Sequence, residues 1–235
     1  MHKKSAASAK TNENTMADDV LLSLFIKGKN DGYNGGGLKN YPARTEIFKQ
    51  ETSSNTVYLI EQGLVKLVRV APNGSQVIIG LRRRPWLIGA PAVLLNKPYS
   101  FTAVTLLPSA IRAIPAKAFS KLATTNKQFS SHLHRLLSQE ISNQMRDVES
   151  ISCLSAEDRV MRFLGDLVAG QTLSGNKRAA FLLPLTNREL AELIAVTPEH
   201  ICRVLKTMER KGLIRRERRT LIIEKPAELL QRALL

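Results

Sequence analysis

The chain carries only two cysteines in 235 residues, Cys153 and Cys202, each in a helical pattern and without a CxxC spacing. That scarcity excludes a disulfide framework and encodes no cysteine-based zinc or iron–sulfur site. Long apolar runs are missing too, none nearing the roughly 18 residues needed to cross a bilayer. The opening MHKKSAASAKTNENTMADDV has no hydrophobic stretch of the kind a signal peptide needs, and Met16 is a second candidate start. A cytoplasmic protein without membrane contact is expected. Also absent are an HxxxH-type cluster, a paired acidic metal motif and a phosphate-cradling glycine loop with lysine. No enzyme, catalytic residue, metal or cofactor is therefore expected.

Positive charge is abundant. A net charge of +15 and a pI near 10.2 call for an anionic partner, because such a surplus concentrates phosphate-bearing polymers or acidic surfaces around the protein. By itself this fits nucleic acid, ribosomes or acidic lipid equally.

The length suits two modest domains. Residues 1–16 are small and polar and read as a disordered tail, and Val20, Leu21, Leu24 and Phe25 then follow a helical period until the run GKNDGYNGGG breaks it. From Tyr41 to Pro115 come short β-rich segments: TEIFKQ, TVYLIEQG, LVKLVRV, QVIIGL, FTAVTLL and AIRAI. Pro72-Asn73-Gly74 marks a hairpin turn, since Asn-Gly tolerates the positive φ that tight turns require. The fold class is α+β, opening with an antiparallel β-roll over 17–125.

Residues 126–152 form a long helix on which Leu133, Leu137, Ile141, Met145 and Val148 recur at steps of three or four. Two readings stay open: a two-helix seam that makes a homodimer, or packing on the helix's own β domain. A further helix covers about 156–168, and QTLSGNKR is a loop.

The segment 153–235 reads as a winged helix-turn-helix. Thr186 and Glu189 make a capping box, in which each side chain satisfies an otherwise unpaired amide at a helix start. Thr197 then caps a second helix whose first residue is Pro198, where the missing N–H costs nothing. The linker between them is only AVT, and LIRRERRTLIIE supplies two short strands around a charged turn, the wing. Glu199 and Arg203 lie four apart on one face of the second helix, near its start. Arginine can donate two hydrogen bonds to guanine O6 and N7 while glutamate accepts from cytosine N4, so the pair is suited to the major groove of double-stranded DNA. Such a pair can equally be a solvated surface contact; its place in a two-helix unit favours base reading. Thr186, Arg188, Thr197, Pro198, His200, Lys206, Arg210, Arg215, Arg216, Arg218 and Arg219 complete the candidate DNA contacts, the basic ones suited to phosphates. Residues 176–235 hold 13 Lys and Arg against 7 Asp and Glu, so this module is cationic.

TNRELAELIAVTPEHICRVLKTMERKGLI and, less specifically, YPARTEIFKQETSSNTVYLIEQGLVKLV resemble the cyclic-AMP receptor/fumarate-nitrate reduction regulator (Crp/Fnr) family. The resemblance runs from Tyr41 to Glu224 and matches Glu199 and Arg203 to that family's reading pair. It implies a cyclic-nucleotide-binding-like roll, a dimerisation helix and a winged helix on a palindromic site with TGA in each half, and contact with RNA polymerase. Two departures matter. Family members that bind cyclic AMP carry a glutamate and an arginine in the cassette after a glycine, whereas here Ala90 follows Gly89 and the run to Val104 has neither; without that arginine the phosphate loses a charge-assisted bidentate partner. No cysteine precedes Cys153, so the cysteine cluster of the oxygen-sensing branch is absent. His2, His132 and His134 are read as surface or interface residues rather than haem ligands.

Arg82, Arg83 and Arg84 form an unusual run beside the cassette. They are either a solvated surface cluster or a site for an acidic small-molecule effector, with Gly89 and Ala90, or for the DNA flank, although strand alternation puts Arg83 on the opposite face from its neighbours. The function expected is a sequence-specific DNA-binding transcription regulator controlled by a signal other than cyclic AMP. A ligand-sensing scaffold using its winged helix for protein contacts, or a nucleic-acid-acting enzyme, are the alternatives.

Overall fold

The computed structural model describes residues 37–169, 178–218 and 220–228. The expected tail, the helix near residue 20 and most of the loop QTLSGNKR lie outside these. The chain divides into two compact units, Met1–Ile141 and Ser142–Leu235.

Among the described residues the first unit has eight strands: β1 (Leu38–Tyr41), β2 (Glu46–Phe48), β3 (Thr56–Gln62), β4 (Leu64–Val70), β5 (Gln76–Arg83), β6 (Trp86–Ile88), β7 (Thr102–Thr105) and β8 (Ser109–Pro115). A short helix α1 (Ala90–Leu94) interrupts them, and α2 (Ala116–Thr125) follows, then the long α3 (Lys127–Cys153), whose residues from Ser142 on belong to the second unit. Two four-stranded sheets result, ordered β1-β8-β3-β6 and β2-β7-β4-β5, with every pairing antiparallel. Alternation along β3 explains how the roll is filled. Ile60 joins Phe48, Val65, Leu67, Ile88, Ala103 and Ile111 in one cluster, while Val57 and Leu59 pack with Ile114 of β8 and with Phe119, Phe129 and Leu133 of α2 and α3. Both faces of β3 are thus covered, and TVYLI reads as a nearly unbroken apolar run for that reason.

Two glycines are dictated by geometry. Gly74 takes φ 82 in the β4–β5 turn, with Asn73 Oδ1 accepting from the Ser75 amide and Gly74 alone of the Asn-Gly pair in the left-handed region. Gly63 has φ 104, and a Cβ there would sit 2.6 Å from Ser109 Cβ and 2.8 Å from its Cα. Strands β3 and β4 can change direction at that point only without a side chain.

The apolar stripe of α3 divides. Leu133 is buried and Leu137 packs against the same cluster, but Ile141, Met145, Val148 and Ile151 are 59%, 69%, 65% and 55% exposed. Packing on its own roll accounts for the start of the helix, and among the described residues nothing covers the rest of the stripe.

In the second unit, α4 (Ala156–Ala169), β9 (Ala179–Leu182), α5 (Asn187–Ile194), α6 (Pro198–Arg210), β10 (Ile214–Glu217) and β11 (Thr220–Ile223) succeed one another. The three strands form an antiparallel sheet ordered β10-β11-β9. Val160, Leu164, Leu190, Ile194, Ile201, Leu205 and Met208 are buried, as are Phe181 and Leu221 of the sheet and Leu213 just before it. A helix-turn-helix with a β-hairpin wing is the outcome.

Candidate nucleic-acid interface

Capping fixes where the two helices of the turn begin. Thr186 Oγ1 accepts from the Glu189 amide at 3.1 Å, and the Glu189 carboxylate accepts from the Thr186 amide at 2.9 Å. At α6, Thr197 Oγ1 accepts from the His200 amide at 3.2 Å, with Pro198 in the first turn. Thr186→Ala is expected to lower the stability of the winged unit by about 1 kcal/mol; a chemical-denaturation midpoint followed by circular dichroism, unchanged from the parent protein, would refute the cap's contribution.

Between the helices, Ala195 takes φ 58, a left-handed conformation that suits glycine better. Arg159, on α4, holds the end of α5. Its Nε donates to the Ile194 carbonyl at 3.1 Å and its Nη2 to that of Ala195 at 2.9 Å. Sequence reasoning passed over this residue, because its partners lie 35 and 36 positions away. Cationic side chains near a helix C-terminus satisfy its last carbonyls.

Helix α6 buries Ile201, Val204, Leu205 and Met208 and turns Glu199, Arg203, Lys206 and Arg210 to solvent. Arg203 Nη2 lies 3.4 Å from His200 Nδ1, and Arg210 Nη2 donates to Thr207 Oγ1 at 3.3 Å. The exposed face therefore offers one carboxylate and three cations along a single ridge. Arg188, in the first turn of α5, is exposed and pairs with Glu192 at 3.2 Å.

The wing residues differ among themselves. Arg218 sits at the β10–β11 turn, exposed, with φ 51. Arg215 is exposed but pairs with Glu217 at 3.3 Å and Glu224 at 3.4 Å. Arg216 turns back onto α6, where Nε and Nη2 donate to the two Glu209 carboxylate oxygens at 2.9 and 3.2 Å. That fork-to-fork pair ties the wing to the second helix, and Arg216 is spent on it. Arg219 lies outside the described residues.

Hydrogen bonds from Arg216 hold the Glu209 carboxyl below its ordinary range, against the opposing effect of burial. Because the folded-state value is depressed, the pair stabilises at neutral pH, and its contribution is lost as pH falls through that value. Below about pH 4.3, the usual glutamate value, Glu209→Gln should flatten the acid limb of the unfolding profile. Both side chains are about a third exposed, so the change should be at most about 1 kcal/mol. Parallel acid limbs for the variant and the parent would count against it.

In the first unit, Arg82 pairs with Glu140 on α3 and lies over the Trp86 ring, 5.1 Å from its centroid. Arg84 is exposed. Gly89, with φ 84, precedes α1, and a Cβ there would come within 2.8 Å of the Tyr99 ring; Ala90 is buried. Tyr99 stacks on Phe48 at 3.9 Å between centroids, and its hydroxyl donates to the Thr56 carbonyl. Burial, with Tyr58 adding to it, pushes the Tyr99 hydroxyl up to about 12. The candidate effector residues thus split, with Arg82 on the α3 side, Arg83 and Arg84 exposed, Gly89 against the Tyr99 ring, and Ala90 in the cluster of Val57, Leu59 and Phe119. His132 is buried and held below the usual histidine range by burial and by Arg135, whereas His134 is exposed. Among the described residues no cluster of metal-ligating side chains occurs, and no helix is long and apolar enough to cross a membrane.

Comparison with known proteins covers both units. Residues 38–126 match the family described as the cyclic nucleotide-binding domain, and residues 158–232 that described as the Crp-like helix-turn-helix domain. The transcriptional activator protein FnrA of Stutzerimonas stutzeri is 24% identical over 171 residues, 73% of this chain and 70% of its own. A probable transcriptional activator of Rhizobium leguminosarum bv. viciae is 26% identical over 199 residues, 84% of this chain and 82% of its own. Among solved structures, FixK2 from Bradyrhizobium japonicum superposes with a TM-score of 0.72 at 18% identity, covering 83% of this chain and 96% of that one. A CRP-family transcriptional regulator from Thermus thermophilus gives 0.69 at 18% identity, over 84% and 97%. With the roll and the helix-turn-helix both matched, and in this order, the chain belongs to the Crp/Fnr family of transcription regulators.

Proposed function

We propose that the protein is a sequence-specific transcription regulator that binds an inverted DNA repeat as a homodimer, with its β-roll answering a signal other than cyclic AMP. The observation that carries this reading is the solvent-facing Glu199 and Arg203, four residues apart at the start of a capped second helix. Such a helix lies in the major groove, and two of them about 34 Å apart match half-sites one turn apart. Arg203 and Glu199 read base edges; Lys206, Arg210, Arg188 and Arg218 hold phosphates, and Thr186, Thr197, Pro198 and His200 line the same approach. Arg215 adds its charge at the rim. Arg216 acts through Glu209 instead, keeping the wing at a fixed height over the groove.

Residues 17–125 serve as sensor, 126–152 as dimerisation helix and 153–235 as DNA-binding module. The exposed stripe of α3 supplies the homodimer seam. Contact with RNA polymerase follows from the family. Cyclic AMP is disfavoured because the run after Gly89 holds neither acid nor arginine, and Tyr99 closes on Gly89.

Selection of bound DNA from a random pool, followed by salt-dependent titration, tests the proposal. An inverted repeat whose affinity falls steeply with salt is expected, since neutralised phosphates release counterions. No enriched sequence would sink it; salt-insensitive capture of a protein partner would support the scaffold alternative, and magnesium-dependent turnover of the DNA an enzyme.

A further inference from the structure

Arg82 faces inward. On the β4–β5 ladder it is paired with Val65, which is fully buried, so both side chains lie on the core side of the sheet. Its guanidinium is boxed by three features. Trp86 lies beneath it, Glu140 of α3 binds Nη2, and Nη1 donates to the Leu81 carbonyl at 2.9 Å. Gly80 makes room for this fold-back, because a Cβ there would sit 2.4 Å from Arg82 Nη1. Yet the side chain is incompletely satisfied. Nε is buried and, among the described residues, has no hydrogen-bond partner. Nε and Nη2 together are the edge on which a guanidinium takes an oxyanion bidentately. Glu140 fills one of these two donors and leaves the other unpaired in a site with little water, a costly arrangement.

We infer that Arg82 is the receptor for an anionic effector, a small molecule with a carboxylate or phosphate group, and that Glu140 occupies that group's place when the effector is absent. A bidentate oxyanion fills both donors and displaces the Glu140 carboxylate. Arg84, exposed just past the end of β5, draws anions to the spot, whereas Arg83 points to the opposite face. Glu140 immediately precedes Ile141, where the exposed stripe of α3 begins, so exchange at Arg82 changes what holds the helix at the root of that stripe. The inference deepens the proposed signal response and rests on it for its regulatory meaning; the anion site itself does not depend on DNA binding.

Trp86 is the chain's single tryptophan and touches the guanidinium, so its fluorescence reports the exchange directly. The full-length protein would be titrated with inorganic phosphate at constant ionic strength. Glu140→Gln keeps the shape and removes the competing charge, and is expected to lower the half-saturating phosphate concentration at least tenfold. Arg82→Gln should abolish the response, and Arg82→Lys, which keeps the charge but not the fork, should weaken it at least fivefold while remaining folded by thermal melting. An Arg82→Lys titration matching the parent, or a Glu140→Gln titration no tighter than the parent, overturns the inference. Should phosphate act at Arg82 as expected while the selected-DNA experiment enriches nothing, the anion site stands and the proposed regulator role falls.

Discussion

Arg203→Ala is expected to weaken binding to the selected site by about 1–3 kcal/mol, roughly a 5- to 150-fold loss, and to relax preference at one base pair per half-site. The expectation depends on what the side chain does in the unbound protein. Arg203 is exposed, its polar neighbour is His200 at 3.4 Å, and its methylenes are not part of the core formed by Ile201, Val204 and Leu205. Truncation should therefore leave the melting temperature nearly unchanged, and the affinity loss is attributable to the contact with DNA. Arg218→Ala is the contrast. At the exposed tip of the wing it has no base edge to select, so all sequences should weaken alike and the slope of log affinity against log salt should fall by about 1. Competition titrations with single-base variants of the site separate the two. If Arg203→Ala preserved the full ranking of those variants, base reading by this residue would be disproved.

How much of this surface could be seen in the sequence depends on the range of the interactions. Caps are local: Thr186 meets Glu189 three residues on, and Thr197 meets the His200 amide at the same spacing, so both helix starts were legible from residue type and interval. The Asn73-Gly74 turn was legible for the same reason, although Gly74 alone takes the positive φ. Strands that borrow their conformation from a distant partner were not. AAFL at 179–182 has no β-branched residue and becomes β9 only by pairing with β11, more than 35 residues later in the chain. β6 is three residues long and α1 five, both too short for a period to emerge. The same limit applies to charges. The sequence distinguishes Arg216 from Arg218 in nothing but position: Arg216 is held within β10 facing Glu209, whereas Arg218 lies past the end of the strand, in the turn at φ 51, and is exposed. Arg82 and Glu140 are separated by 58 positions, beyond any pattern that a helix or hairpin imposes.

Val148→Glu is expected to convert the protein to a monomer and, with it, to reduce affinity for an inverted repeat by at least about a hundredfold while leaving binding to an isolated half-site nearly intact. The reasoning begins with exposure. Val148 is 65% exposed, and with Ile141, Met145 and Ile151 it forms a stripe that the described residues do not cover. Burying such side chains contributes roughly 1.5–3 kcal/mol each, and four from each of two helices are enough to offset an association cost on the order of 4–15 kcal/mol. A two-fold axis would set this stripe against its own copy, so one substitution introduces two carboxylates into the same seam, where neither finds a cation. The fold of the single chain should survive, because the altered side chain leaves solvent only on dimerisation. Sedimentation equilibrium gives the oligomeric state, and parallel titrations of whole and half sites give the coupling. A Val148→Glu protein that sediments as a dimer, or that binds the whole repeat as tightly as the parent, would remove the long helix as the seam and leave the uncovered apolar stripe to some other partner.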